Sequence, residues 1–109
     1  MNYYQDSDLS KFGNIAEWDK PLADKFFEYY NEVFKEGALT AREKSLIALA
    51  VAHVIQCPYC IDAYTADNIK RGVDEESMME SIHVGAAIRS GATLVHGVMM
   101  MNKAKKMLI

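Results

Sequence analysis

Three features of this chain predict an all-α fold. Apolar residues recur at spacings of three and four, capping residues stand just ahead of those runs, and no segment alternates in the manner of a strand. The 109 residues suggest one compact domain spanning residues 1–109, of about five helices. Half of the residues are hydrophobic, a quarter are charged and only two are prolines, the composition of a folded helical domain. A chain of this length buries about 65% of its unfolded surface, enough for a core with little to spare.

Residues 1–18 read as an irregular arm with a short helical turn around Leu9–Phe12. Asp19 then caps a helix that carries Pro21 in its first turn, where a missing N–H costs little. Leu22, Phe26, Tyr29, Tyr30 and Val33 follow at helical spacing, and Gly37 is placed to end that helix. Thr40-Ala41-Arg42-Glu43 has the form of a capping box, in which threonine and glutamate satisfy each other's backbone N–H groups. It opens a helix to about Gln56 whose run Leu46-Ile47-Ala48-Leu49-Ala50-Val51-Ala52 is apolar on most sides, which suits the centre of a domain or a subunit interface. Pro58 restarts the chain as a helix to about Lys70, closed by Gly72. Asp74 caps a further helix from about Glu75 to Arg89. Ser90-Gly91 is expected to interrupt it before a last helix, Ala92 to Lys106, with Leu94, Val95, Val98 and methionines 99–101.

Net charge is −3 with no basic block, which makes nucleic acid and anionic membranes poor partners. The longest near-apolar run, Ser45 to Val54, is too short to cross a bilayer. The first residues, Met1-Asn2-Tyr3-Tyr4-Gln5-Asp6, have neither the basic nor the apolar region of a signal peptide. A cytoplasmic location follows as the expectation, and a purely structural disulfide is unexpected there. Tyr29, Tyr30, Phe34 and the seven methionines supply more apolar surface than a lone small bundle needs, so a homo-oligomer is expected.

Both cysteines lie in Cys57-Pro58-Tyr59-Cys60, with His53 four residues upstream. If Pro58 is the first helical residue, Cys57 is the N-cap and Cys60 stands at the third helical position. Both sulfurs then sit near unpaired N–H groups at the positive end of the helix dipole, which lowers a thiol pKa and favours the attacking thiolate. Such a thiolate can open the O–O bond of a peroxide, and the second cysteine can condense the resulting sulfenic acid into a disulfide. A zinc site wants four ligands, and a second CxxC or an HxxxH pair is missing, so no metal is expected. Duller readings stand beside this one: buried unreactive cysteines, His53 as a core histidine, Glu43 as a cap only. His83 and His96 are ambiguous, and Asp62, Asp67, Lys70 and Arg71 read as a solvated face.

The stretch Leu39-Thr40-Ala41-Arg42-Glu43-Lys44 through Ile47–Ala52, then Cys57–Cys60, Gly72 and the acid-capped helix, resembles the carboxymuconolactone decarboxylase and alkyl hydroperoxidase D superfamily over roughly residues 20–100. Ile61-Asp62-Ala63-Tyr64-Thr65, Ile82–Arg89 and Leu94-Val95-His96-Gly97-Val98 resemble its arsenosugar biosynthesis-associated peroxidase-like branch. The resemblance implies an all-helical domain assembling as a trimer or hexamer, with the CxxC near an interface. It also implies that Cys60 is the peroxidatic cysteine and Cys57 the resolving one, whereas the N-cap argument favours Cys57 as the more activated thiol.

Two relay positions depart from the hydroperoxidase pattern. Tyr64 stands where that pattern has a histidine, and Ser45 where it has a glutamate. His53 is a candidate replacement for the histidine, since a residue four before Cys57 on a helix would share its side. Glu43 is a poorer one for the glutamate, about 15 Å along the helix from His53. Tyr64 offers its hydroxyl. The expected function is a thiol-dependent peroxidase or disulfide-exchange enzyme that needs neither metal nor flavin. It would be reduced by a lipoyl or thioredoxin-like dithiol and, by resemblance, tied to arsenic metabolism. The alternatives are a non-catalytic dithiol protein binding an arsenical or a metal, and a decarboxylase-like enzyme, whose relatives do not need a CxxC.

Overall fold

The computed structural model describes residues 5–109, so the first four residues of the expected arm lie outside it. Among the described residues there is no strand. A 3₁₀ helix, Leu9–Glu17, precedes α1 (Lys20–Phe34), α2 (Ala41–Val54), α3 (Pro58–Lys70) and α4 (Glu75–Met107). The all-α class is therefore as the sequence predicts.

The arm is more regular than expected, a nine-residue 3₁₀ helix rather than a single turn. Leu9, Phe12 and Ile15 are spaced by three, the period at which 3₁₀ side chains eclipse. Phe12 packs on α1 with ring centroids 5.8 Å from Phe26 and 5.1 Å from Phe27.

Asp19 caps α1 by accepting the Leu22 N–H, and Thr40 and Glu43 form both bonds of the capping box on α2. α1 stops at Phe34, short of Gly37. The Lys44 ammonium on α2 takes the Val33 carbonyl at 2.7 Å and also that of Lys35, so a cation from another helix sets this end.

α2 stops at Val54 rather than Gln56. Gln56 adopts a left-handed φ of 58°, its N–H donates to the His53 carbonyl, and the Cys57 N–H donates to that of Ala52. These are the two bonds of a Schellman ending. α3 ends in the same pattern, with Gly72 at φ 76° bonded to Ile69 and Val73 to Asn68. Glycine makes the second ending legible in sequence. Glutamine hides the first, at a left-handed cost of about 1–2 kcal/mol.

α2 is the central helix and packs against α3 and α4. The core gathers Leu49, Val73 and Met78, with Leu46 and Tyr64 against it. α4 crosses α2 at Gly85, where a Cβ would lie 2.8 Å from Val54 Cγ2, so a larger residue could keep this approach only if Val54 or the helix shifted.

The expected break at Ser90-Gly91 is absent, and α4 runs unbroken for 33 residues. One interior glycine costs a helix about 1 kcal/mol, which the alanines, leucine and methionines on either side outweigh. Thr93 also donates its hydroxyl back to the Arg89 carbonyl at 3.0 Å. From Ile88 onward the large apolar side chains of α4 are exposed. Its most apolar 18-residue window has a mean hydropathy of 1.2 and none of it is buried within the chain.

Candidate dithiol site

Cys57 has extended backbone (φ −102°, ψ 101°) and is the N-cap of α3, with Pro58 as the first helical residue. Its sulfur accepts the Cys60 N–H at 3.2 Å, the cap bond that the sequence implies. The two sulfurs are joined as a disulfide across Cα atoms 5.3 Å apart. The disulfide thus closes within one four-residue turn at the start of α3.

The Schellman corner just upstream separates His53 from this turn. His53 lies on α2 and Cys57 follows left-handed Gln56, so the two do not share a helical face, contrary to the i, i+4 argument for pairing them. The His53 Nδ1 lies 2.8 Å from the Leu49 carbonyl. A carbonyl only accepts, so Nδ1 carries the proton and Nε2 is the acceptor of the neutral ring. Glu43 stands at the opposite end of α2. Its carboxylate accepts the Thr40 N–H at 2.8 Å, and that backbone bond, with the Thr40 side chain, holds it below its ordinary pKa.

Tyr64 is one turn beyond Cys60 on α3. Its ring stacks on Phe34 of α1 with centroids 5.3 Å apart, and its hydroxyl is hydrogen-bonded to that of Tyr30. Tyr30 in turn packs on Phe34 at 5.0 Å. Burial, and then the negative charge of Asp67, hold the Tyr30 phenol above its ordinary pKa.

Asp67 corrects another expectation, for it is not simply part of a solvated face. It accepts the hydroxyl of fully buried Ser45 at 2.6 Å and the Arg71 Nε at 2.8 Å. Burial works to raise its pKa, but the Ser45 and Arg71 contacts outweigh burial and the carboxyl is held below its ordinary value. A carboxylate from α3 therefore stands against Ser45, the position where the hydroperoxidase pattern has glutamate. Asn68, also fully buried, donates to the carbonyls of Ser45 (3.0 Å) and Tyr64 (2.7 Å), which pins α2 to α3 behind the tyrosine. Its Oδ1 has no partner among the described residues.

Two hollows meet at Cys60. One, about 430 Å³, is walled mainly by Val33, Phe34, Leu39, Ile47, Val51 and Ile55, with Tyr30, Tyr64 and Cys60 at one side. The other, about 700 Å³, lies under the 3₁₀ helix and reaches both cysteines, Tyr30 and Tyr64. His53 lines neither. The 3₁₀ helix is tied over the second hollow by the Tyr59 hydroxyl, which donates to Asp8 at 2.6 Å. That bond is the main reason the Asp8 carboxyl lies below its ordinary pKa.

Sequence reasoning picked Cys57, Cys60 and Tyr64 but passed over Tyr30, Asp67 and Asn68. Cys60, Tyr64, Asp67 and Asn68 are spaced i, i+4, i+7 and i+8, one stripe of α3. That stripe was the available signal. Among the described residues no group of three or more His, Cys, Asp or Glu is placed to hold a metal ion.

Against this geometry, comparison with known proteins is informative. The chain is 44% identical over 84 residues to a Paracoccus denitrificans protein named uncharacterized protein 4 in cox locus, covering 77% of this chain and 76% of the relative. A crystal structure of a Methanobacterium thermoautotrophicum protein from a structural genomics consortium superposes with a TM-score of 0.75. It is 28% identical and covers 79% of this chain and 97% of that one. Neither match bears on the arsenosugar branch. The sequence pattern of the Carboxymuconolactone decarboxylase family spans residues 20–101, so the chain belongs to that family, within the alkyl hydroperoxidase D-like superfamily.

Proposed function

We propose that the protein is a CxxC-dependent thiol peroxidase, or a disulfide-exchange enzyme of the same chemistry, in which Cys60 attacks and Cys57 resolves. The observation that carries this reading is the placement of Cys60. Both hollows reach it, whereas Cys57 lines only one. Cys57 at the cap is suited to the resolving role, since the Cys60 N–H and the helix dipole stabilise a thiolate there. A thiolate is what attacks a sulfenic acid at Cys60.

The apolar wall of the smaller hollow favours an organic hydroperoxide over hydrogen peroxide. A lipoyl or thioredoxin-like dithiol would return the disulfide to two thiols, in a reducing cytoplasm. Homo-oligomerisation, as trimer or hexamer, would cover the bare half of α4. Its small residues Gly91, Ala92 and Gly97 suit close helix–helix approach.

The test is the rate at which the reduced protein loses its two thiols to an organic hydroperoxide. Fast loss into an intramolecular disulfide, abolished by Cys60→Ser, is expected. Sulfenic acid should be trapped at Cys60 in Cys57→Ser, and a trap only at Cys57 in Cys60→Ser would reverse the order. Thiols no faster than free cysteine would favour the second reading, a dithiol that binds a soft ligand such as trivalent arsenic. The paired sulfurs on one turn suit that chemistry, and a stoichiometric adduct by mass spectrometry would identify it.

A further inference from the structure

Opening a peroxide leaves an oxygen that needs a proton, and the proton source in this chain is unassigned. We propose that the Tyr64 and Tyr30 hydroxyls form the proton-delivery pair of the dithiol site. Tyr64 is the catalytic donor to the leaving oxygen, and Tyr30 is the positioning residue that orients and recharges it. The proposal rests on the peroxidase reading above.

Four observations converge on the pair. Tyr64 stands one turn from Cys60 and lines both hollows with it, so its side chain shares whatever space a substrate enters. Its ring is fixed by Phe34, and its hydroxyl is bonded to Tyr30 rather than left to rotate. Asn68 holds the Tyr64 backbone from behind. The other candidates are less well placed. The His53 Nδ1–H is committed to Leu49 and the ring lines neither hollow, while the Glu43 carboxylate caps the far end of α2.

The chemistry balances without a further reactant. The Cys60 thiolate attacks the terminal oxygen of R–O–OH, the S–O bond forms and the O–O bond breaks. Sulfur gives up two electrons and the peroxide accepts them. The leaving RO⁻ takes the Tyr64 proton and departs as ROH. A phenol gives its proton downhill to an alkoxide, which is a much stronger base than a phenolate. The Tyr64 phenolate recovers a proton through the hydroxyl of half-exposed Tyr30 from solvent. Cys57 thiolate then attacks the sulfenic sulfur, hydroxide leaves with a proton from the same pair, and the products are water and the disulfide seen in the structure. Burial, and then the negative charge of Asp67, hold the Tyr30 phenol above its ordinary pKa, which favours its protonated form.

Tyr64→Phe and Tyr30→Phe each remove one oxygen and keep the ring stack. The reduced protein would be mixed with cumene hydroperoxide, with peracetic acid and with a chromogenic aromatic disulfide, and thiol loss followed. Acetate and an aromatic thiolate leave without needing a proton, so these two reagents report thiolate reactivity and fold. The expected result is a fall of about tenfold or more with cumene hydroperoxide in Tyr64→Phe, and about threefold in Tyr30→Phe, against reference rates within about twofold.

An unchanged hydroperoxide rate in Tyr64→Phe would overturn the proposal. So would an equal fall with peracetic acid, which would mean repacking. An effect of Tyr64→Phe with none from Tyr30→Phe would remove the pair and leave a lone donor. Wild-type protein no faster than free cysteine would remove the peroxidase reading itself. That failure is distinct, because it occurs before any tyrosine is changed.

Discussion

The two halves of α4 share one unbroken helix and have opposite surroundings. Up to Gly85 the helix lies on α2, with Met78 and Gly85 buried. Beyond it Ile88, Leu94, Val95, Val98 and methionines 99–101 are all at least half exposed. The exposed half is not the more polar one, for Glu75, Glu76 and Glu80 all lie in the packed half and the most apolar stretch lies in the bare one. What differs is the presence of a neighbour: α2 ends at Val54, and nothing among the described residues continues alongside the second half of α4. A helix of this kind is half a core element and half an exposed apolar face. The overall extents, 58 × 37 × 36 Å, record the projection.

The largest expected effect tests the bare half. Leu94→Glu with Val98→Lys places charges one turn apart on an exposed apolar face without touching the core. Burying two such side chains at an interface is worth about 3–6 kcal/mol, or more than a hundredfold in association. Wild-type protein should sediment as an oligomer at micromolar concentration, and the double variant as a helical monomer. A monomeric wild type would break the comparison, since the exposed half would then have no partner to explain.

The glycines give the next contrast. Gly85→Ala drives a Cβ to 2.8 Å from Val54 Cγ2, an overpacking expected to cost about 1–3 kcal/mol in urea unfolding. At Gly91 nothing lies within 4 Å of an added Cβ, and Gly91→Ala should stabilise the monomer by about 0.5–1 kcal/mol through helix propensity. If Gly91→Ala instead weakens assembly, a partner helix packs against that glycine and the contrast between the halves belongs to the isolated chain alone.

Much of this fold was legible from capping chemistry: Asp19, Thr40 with Glu43, Cys57 and Asp74 each stand where the sequence places a helix start. Starts are local events, written in one side chain and the N–H groups that follow it. The misread ends have two different causes, one distant and one local. α1 is closed by Lys44 from another helix, and α2 by a left-handed residue that is glutamine instead of glycine. Ser90-Gly91 misleads because an interior glycine weakens a helix without by itself ending it.

In the site, the cysteine turn was readable because it is a cap. The Tyr30–Tyr64 contact joins residues 34 apart across two helices, and spacing within one helix does not announce it. The Ser45–Asp67 bond is equally long-range, and it moved Asp67 from an expected solvated face to a half-buried position.

The smallest expected effect lies at the boundary between the halves. Arg89 Nη1 donates to the Val54 carbonyl at 3.0 Å, a tie between α4 and the last turn of α2 just beyond the Gly85 crossing. Exposed carbonyls at a helix end find water when a side-chain donor is removed, so only the charge–dipole part and the net hydrogen bond are lost. Arg89→Met should therefore cost about 0.5 kcal/mol, and Arg89→Lys less, since an ammonium can still approach the helix end. Urea unfolding at low and at half-molar salt separates the contributions, because screening shrinks the charged one and leaves packing untouched. A cost that vanishes with salt assigns the boundary to electrostatics. No cost at either salt concentration would place the end of the packed half at Gly85, with Arg89 already belonging to the exposed half.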